Sequence, residues 1–145
     1  MVRRKEREFA LKVLYAVEFN NSPVEEQTNY LKQSEVEFAT EFALSLITIY
    51  SEKKEELDKL IKDKLKHWKF NRVAAIDRIL IRLALVEFLY LEDIPPKVTM
   101  DEIIEIGKMY STDKSNQFIN GMLDALLKSL HAENKINKTG RGLVN

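Results

Sequence analysis

Residues 115–121 carry side chains that an ordinary helix core does not require. They read Ser-Asn-Gln-Phe-Ile-Asn-Gly, so amides, an aromatic ring and a glycine stand where an apolar helix face is beginning. An aromatic ring can stack on a flat ligand, amides both donate and accept hydrogen bonds, and glycine lets another chain come close. We therefore expect a functional surface of the protein in this segment.

A cationic group lies near the start of the chain. Arg3 and Arg4 precede Arg7 by four and three residues, so a helix places all three on one face. Residues 18–41, in contrast, contain six glutamates and a single lysine. A basic end beside an acidic flank indicates a site for a polyanion, and the alternative is a helix with ordinary solvated charges.

The chain lacks the residue patterns of common catalytic and metal sites. It has no cysteine, and neither His67 nor His131 has a partner at metal-ligand spacing. No P-loop, G-x-G-x-x-G or G-x-S-x-G pattern occurs. Carboxylates cluster at 101–105, but they fall in a predicted first helical turn, where negative charge is favoured. We expect no catalytic residue, no metal site, no cofactor and no enzymatic activity.

Composition favours a helical protein. The 145 residues are 45% hydrophobic and 32% charged with a formal net charge of zero, and only four glycines and three prolines are present. The absence of cysteine suits a reducing cytoplasm. The N-terminus lacks the apolar core of a signal peptide, and the apolar run 79–91 is too short to span a bilayer. We expect a cytoplasmic protein without a membrane partner.

Hydrophobic periodicity predicts an all-α protein of about seven helices. The predicted helices cover about 3–19, 22–33, 36–50, 52–66, 72–91, 99–110 and 115–130. The third and fourth helices can alternatively form one bent helix. Ser22 with Glu25, and Thr99 with Glu102, have the spacing of capping boxes, so these residues are expected to begin the second and sixth helices.

The helices are expected to form a single domain over residues 1–132. The helix at 72–91 is the most hydrophobic and should be its central rod, with Trp68 and Phe70 at the edge of the core. Residues 133–145 are polar and contain two glycines, so we expect a flexible tail there.

Three segments resemble the NusB family of bacterial transcription antitermination factors. They are R-R-K-E-R-E-F-A-L-K-V-L-Y at 3–15, W-K-F-N-R-V-A-A-I-D-R-I-L-I-R-L-A-L-V-E at 68–87, and V-T-M-D-E-I-I-E-I-G-K-M-Y-S-T-D-K-S-N-Q-F-I-N-G-M-L-D at 98–124. Two positions depart from the family pattern. Gly107 stands where the family more often has alanine, and Asn116-Gln117 replaces a more cationic pair.

The resemblance implies a fold of two packed helical subdomains and a non-catalytic function. It implies that the protein binds boxA, a single-stranded RNA element of ribosomal RNA operon leaders, together with the ribosomal protein NusE. The two proteins would then join the RNA polymerase antitermination complex, which reads through terminators.

The resemblance also implies a set of contact residues. The expected RNA-binding residues are Arg3, Arg4, Arg7, Ser115, Asn116, Gln117, Phe118, Asn120 and Gly121. Arginines and a helix start suit phosphates, an aromatic ring suits base stacking, and amides suit base edges. We expect the two groups to line one groove. Tyr15 and Asp77 stand at family positions that face the protein partner.

Alternatives remain for several of these residues. Phe118 at helical spacing from Met122 is also typical of a core residue. Asn120 can simply bond a neighbouring loop, and Gly121 can simply allow tight helix packing. The alternative function is a helical protein–protein interaction module without specific RNA binding.

Overall fold

The structure is a computed structural model and describes residues 2–65 and 69–143. Over these residues it contains six α-helices, three 3-10 turns and no strand. The helices are α1 (Val2–Asn20), α2 (Val24–Glu35), α3 (Glu41–Lys64), α4 (Ala75–Tyr90), α5 (Pro96–Tyr110) and α6 (Asp113–Ala132). The 3-10 turns are Val36–Phe38, Phe70–Arg72 and Gly140–Leu143. His67 lies outside the described residues, and so does Trp68, which was predicted to lie at the edge of the core.

The chain forms two compact units, Met1–Glu52 and Lys53–Asn145. In the first unit, α1 packs against α2. Phe9, Ala10, Val13 and Leu14 of α1 are buried, as the apolar stripe of this helix predicted. The second unit contains α4, α5 and α6, which contact one another pairwise.

The expected break between a third and a fourth helix is wrong, and the alternative of one helix is confirmed. α3 runs without interruption from Glu41 to Lys64. Ser51 was the expected cap of the later helix, but its hydroxyl donates to the Ile47 carbonyl at 2.8 Å. A serine that bonds the carbonyl four residues earlier can remain inside a helix.

The two predicted capping boxes are also wrong. α2 begins at Val24 without a side-chain cap, and the Ser22 hydroxyl instead accepts from Gln27 Nε2 at 2.7 Å. α5 begins at Pro96, so Thr99 lies inside its first turn and is buried. Proline is favoured at the first helical position because it has no N–H to leave unpaired.

The expected central role of α4 is confirmed by its burial. Every residue from Ile79 to Phe88 is buried, including two charged residues, Arg82 and Glu87. Buried charges require partners. Arg82 Nε lies 2.6 Å from Asp58 Oδ1, and Thr99 Oγ1 donates to Glu87 Oε1 at 2.7 Å.

The described tail residues from Lys138 onward contact the end of α4 and the turn after it, and the expected flexibility of the tail stays a prediction. Lys138 Nζ donates to the Glu87 and Leu91 carbonyls at 2.7 and 2.8 Å, at the C-terminal end of α4. The Thr139 amide donates to the Glu92 carbonyl at 3.0 Å. Gly142 is buried, and a methyl group there would overlap the Glu92 carbonyl oxygen. The tail residues therefore hold the open end of a helix whose last carbonyls lack helical partners.

Thr99→Val should test the burial of the Glu87 carboxylate. The substitution conserves side-chain volume and removes one donor from a carboxylate that is 0% exposed. We expect the free energy of unfolding to fall by about 1–3 kcal/mol, since a buried acceptor loses a hydrogen bond. Urea unfolding measures this, with Thr48→Val on the exposed side of α3 as a control that should change little. If Thr99→Val were as stable as Thr48→Val, the hydrogen bond from Thr99 to Glu87 would not contribute to the stability of the fold.

Lys138→Gln should release the C-terminal segment from α4. Burial lowers the pKa of the Lys138 ammonium, and the nearby carboxylates of Glu87, Asp93 and Glu92 oppose this shift. Loss of the two charge-assisted hydrogen bonds should accelerate hydrogen exchange at the Thr139 and Gly142 amides roughly tenfold, which corresponds to about 1.4 kcal/mol. Lys135→Gln is the matched control, because Lys135 is exposed and its ammonium lies 3.8 Å from the Glu133 carboxylate. Unchanged exchange in the Lys138 variant would show that the lysine does not hold the segment.

Candidate functional site

The first turn of α6 begins two residues earlier than predicted. Thr112 is its N-cap, and the Thr112 hydroxyl accepts a hydrogen bond from the Ser115 amide at 3.0 Å. The Ser115 amide is therefore occupied by the cap, and the expected phosphate contact of Ser115 stays a prediction. The Ser115 side chain is half-buried, so its hydroxyl remains the group through which this residue can contact a ligand.

One face of α6 is open to solvent in its N-terminal half. Gln117, Asn120 and Gly121 are all exposed, and their spacing of three and four residues aligns them along the helix. No described heavy atom outside the adjoining backbone lies within 4 Å of the position that a Cβ at Gly121 would take. Tight helix packing therefore does not explain this glycine. The open face presents two amides beside a stretch of accessible backbone.

Phe118 lies at the border of this open face. It is half-buried, whereas the next residue, Ile119, is 0% exposed. The ring is neither sealed in the core nor fully in solvent. One part of the ring therefore packs within the second unit, and another part is accessible to solvent.

Asn116 does not share the open arrangement of Gln117 and Asn120. Its Oδ1 is buried and has no hydrogen-bond partner among the described residues. The same atom occupies the space next to Gly107 on α5, where a methyl group would overlap it. Gly107 and Asn116, which both depart from the family pattern, therefore lie next to each other. Gly107 lets the Asn116 amide turn inward, so Asn116 acts as a packing contact between α5 and α6.

The arginines of α1 occupy different environments. Arg3 is exposed, and its Cζ lies 4.3 Å from the centre of the Phe42 ring. Arg4 is half-buried and already takes part in another interaction. Arg7 is only 2% exposed, and its Cζ lies 5.2 Å from the same ring. Arg7 is thus withdrawn from solvent, unlike Arg3, and its expected phosphate contact stays a prediction.

Lys5 is a cation of α1 that the sequence reasoning did not select. Its side chain is 55% exposed, with the nitrogen 3.8 Å from Glu8 Oε2. The basic run at the start of the chain was the available signal. Arg3 and Lys5 are therefore the exposed cations of this run among the described residues, while Arg4 is partly covered. The groove expected to combine these cations with α6 stays a prediction.

The two expected partner contacts differ in accessibility. Tyr15 is 39% exposed and stacks on Phe19, which is 76% exposed, with ring centres 6.0 Å apart. Phe19 follows Tyr15 by four residues, and that spacing could have identified it from the sequence. Asp77 is 4% exposed and accepts from the Ser111 hydroxyl at 2.8 Å. Asp77 is therefore engaged within the second unit, and its expected contact with a protein partner stays a prediction.

Two further properties bear on the class of protein. The described residues contain no group of three or more acidic or histidine side chains that could hold a metal ion. In the same part of the chain, none of the helices combines the length and apolar character needed to cross a bilayer.

Comparison with known proteins identifies the family. The chain matches the NusB family over residues 4–128. It is 42% identical over 145 residues to the transcription antitermination protein NusB of Salinibacter ruber, covering 98% of this chain and 91% of that protein. NusB of T. maritima has a similar structure, with a TM-score of 0.79 and 36% identity over 87% of this chain and 90% of that chain. The protein belongs to the NusB family.

A third similarity concerns the fold alone. A chain in the crystal structure of antitermination factors NusB and NusE in complex with dsRNA aligns with a TM-score of 0.79. The two sequences are 24% identical, and the alignment covers 88% of this chain and 97% of that chain.

A double-mutant cycle should test the contact between Gly107 and Asn116. In the parent, Gly107→Ala requires the Asn116 amide to rotate away, so it should raise the free energy of unfolding by less than the gain of about 1 kcal/mol from helix propensity alone. In an Asn116→Ala background the overlap is absent, so the same change should raise stability by about 1 kcal/mol. Urea unfolding of the four proteins gives the coupling. Equal effects in both backgrounds would show that the two residues do not interact.

Proposed function

We propose that this protein is an RNA-binding transcription antitermination factor. It binds a boxA-type single-stranded RNA element together with the ribosomal protein NusE and supports processive transcription of ribosomal RNA operons in the cytoplasm. The observation that carries the proposal is the open face of α6, where Gln117, Asn120 and Gly121 are exposed beside the half-buried Phe118. Membership of the NusB family supports the same function.

Each part of the α6 face suits one part of a single-stranded RNA. The accessible part of Phe118 stacks on a base, and the amides of Gln117 and Asn120 bond to base edges. Gly121 lets the RNA backbone approach the helix, because no side chain projects there. The Ser115 hydroxyl can donate to a phosphate at the start of the helix. Asn116 lies inward of this face and packs α6 against α5 by its contact with Gly107.

The cations of α1 supply attraction to phosphates. Arg3 and Lys5 are exposed and contact the RNA backbone, with the partly covered Arg4 beside them. Arg7 remains inside the first unit, where its guanidinium and that of Arg3 both lie near the ring of Phe42. Phosphate contacts release counterions, so affinity should fall steeply as salt concentration rises.

The protein partner is proposed to bind the exposed aromatic pair of Tyr15 and Phe19. Exposed aromatic side chains are enriched among residues that dominate protein–protein interfaces. Bound NusE would add its own RNA contacts and make each further contact effectively intramolecular. The pair of proteins then reaches an affinity for RNA that neither reaches alone, and it is carried on RNA polymerase during transcription.

The same aromatic pair favours a second candidate function. A helical module that binds only proteins would also expose Tyr15 and Phe19, and it would not require the amides of α6 to contact RNA. The two functions differ in their response to RNA sequence. A sequence-independent attraction to RNA arises from charge alone, whereas boxA recognition requires contacts to bases.

Titration of a boxA-type RNA should distinguish the two functions and test Phe118. We expect the parent to prefer the boxA-type RNA over a scrambled RNA of equal length, and NusE to increase this preference. Phe118→Ala should lower RNA affinity by about 1–3 kcal/mol, the usual effect of losing a stacked base. Fluorescence anisotropy with and without NusE measures both effects.

Leu127→Ala is the matched control for Phe118→Ala. Leu127 is half-buried on the same helix and lies further from its N-terminus, so the variant should lose thermal stability without losing RNA affinity. Full RNA affinity of Phe118→Ala together with lower thermal stability would assign Phe118 to the core. Equal binding of the two RNAs in every condition would favour the protein-binding module.

A further inference from the structure

A second basic region lies in the second unit, and the analysis of the sequence did not select it. Residues 59–82 contain eight lysines and arginines and two aspartates, which gives this segment a formal charge of +6. The whole chain has a formal net charge of zero. The first twelve residues have the same excess of positive charge per residue, with five cations and two glutamates. Such segregation indicates contact with a polyanion.

Some of these charges are used inside the protein. Arg82 is 2% exposed and paired with Asp58, and its Cζ lies 5.4 Å from the centre of the Phe70 ring. Asp77 is buried and bonded to Ser111. The paired arginine thus helps to hold Phe70 in place, while the exposed cations around the ring remain available to solvent.

Cations from three consecutive elements surround the half-buried Phe70 ring. Lys62 Nζ on α3 and Arg78 Cζ on α4 lie 4.9 and 5.7 Å from the ring centre. Lys69 and Arg72 bracket the ring in the 3-10 turn, where the Arg72 amide donates to the Lys69 carbonyl at 2.9 Å. Lys62, Lys69 and Arg72 are exposed, and Arg78 is half-buried. We call these four cations the Phe70 surface.

The other two lysines of this segment that the structure describes, Lys59 and Lys64, have acidic neighbours. Lys59 and Lys64 line an open groove of about 560 Å³, together with Asp63, Glu56 and Glu133. Lys64 Nζ also donates to the Ser129 hydroxyl. The charges of that groove are mixed, whereas all four residues of the Phe70 surface are cationic.

One residue of the Phe70 surface, Arg78, is the sequence neighbour of a residue that contacts the α5–α6 junction. The hydrogen bond between Ser111 and Asp77 joins the C-terminal end of α5 to the first turn of α4. Arg78 follows Asp77 directly, and the α6 N-cap, Thr112, follows Ser111 directly. The backbone of Arg78 therefore lies close to the N-terminal end of α6.

We propose that the Phe70 surface binds the phosphate backbone of the same RNA as it continues beyond the α6 face. This inference rests on the proposed function and adds a second contact region to it. An RNA strand carries one negative charge at every nucleotide, so it can meet several cations spread over a surface. The Phe70 ring is already contacted by three cations, so the surface offers charge rather than the free apolar anchor of a protein interface.

The test is a salt titration of a boxA-type RNA extended by several nucleotides at both ends. A triple variant, Lys62→Gln, Lys69→Gln and Arg72→Gln, is compared with a control variant, Lys54→Gln, Lys97→Gln and Lys128→Gln. All six residues are exposed, and both variants lose three positive charges. The Phe70-surface variant should bind about tenfold more weakly, and its slope of log affinity against log salt should fall by about 2. The control should stay within about twofold of the parent with an unchanged slope.

The outcomes separate this inference from the function on which it rests. If the parent binds the RNA specifically and both variants match it, the Phe70 surface makes no RNA contact and the inference is wrong. If both variants weaken equally, only net charge matters, and the inference is wrong as well. If the parent shows no preference for the boxA-type RNA, the proposed function itself fails and the inference fails with it.

A second measurement does not depend on substitutions and covers the case in which the triple variant unfolds. The parent is treated with an amine-acylating reagent with and without the RNA, and each lysine is quantified by mass spectrometry. RNA should protect Lys62 and Lys69 about threefold or more, while Lys54 and Lys97 react equally in both samples. Equal reaction of Lys62 and Lys69 with and without RNA overturns the inference. Protection of these lysines by NusE but not by RNA would assign the surface to a protein contact and also overturn it.

Discussion

The structure of the second unit depends on the burial of charged groups along α4. This helix is apolar on nearly all sides, yet it carries an aspartate, an arginine and a glutamate that are almost fully removed from water. An unpaired buried charge costs several kcal/mol, so each of these groups must be met by a partner from elsewhere in the chain. Asp58 forms an ion pair with Arg82, and the Ser111 hydroxyl donates a hydrogen bond to Asp77. The helix therefore fixes the elements around it through charge as well as through apolar contact.

This requirement has consequences for the candidate site. The partner of Asp77 lies at the junction of α5 and α6, so satisfying that carboxylate also locates the first turn of α6. The inward Asn116 amide beside Gly107 adds a second contact between the same two helices. With the start of α6 held in this way, Gln117 and Asn120 face solvent on a rigid support. Amides held on a rigid element bind a ligand with a smaller loss of conformational freedom than amides on a mobile loop.

The cations that lie near aromatic rings in this protein form two groups, one buried and one exposed to solvent. Arg7 and Arg82 are almost fully buried beside Phe42 and Phe70, where they contribute to packing and internal ion pairs. Arg3 and other exposed cations lie near the same rings but keep contact with water. Long cationic side chains combine an apolar stem with a charged end, so both arrangements are physically ordinary. Counting basic residues in the sequence therefore overstates the charge that a ligand can reach.

Local patterns determined most of the helices and the location of the candidate surface. The spacing of three and four residues identified the apolar face of α1 and the aligned side chains of α6, because it depends only on near neighbours within a helix. Tertiary structure decided which polar residues are accessible. Arg7 and Asp77 are buried by residues far away in the sequence. The Thr99 hydroxyl donates to Glu87 instead of capping its own helix. Lys138, near the C-terminus, donates to a carbonyl at the end of α4. Such pairings join positions distant in the chain, and a periodic pattern contains no information about them.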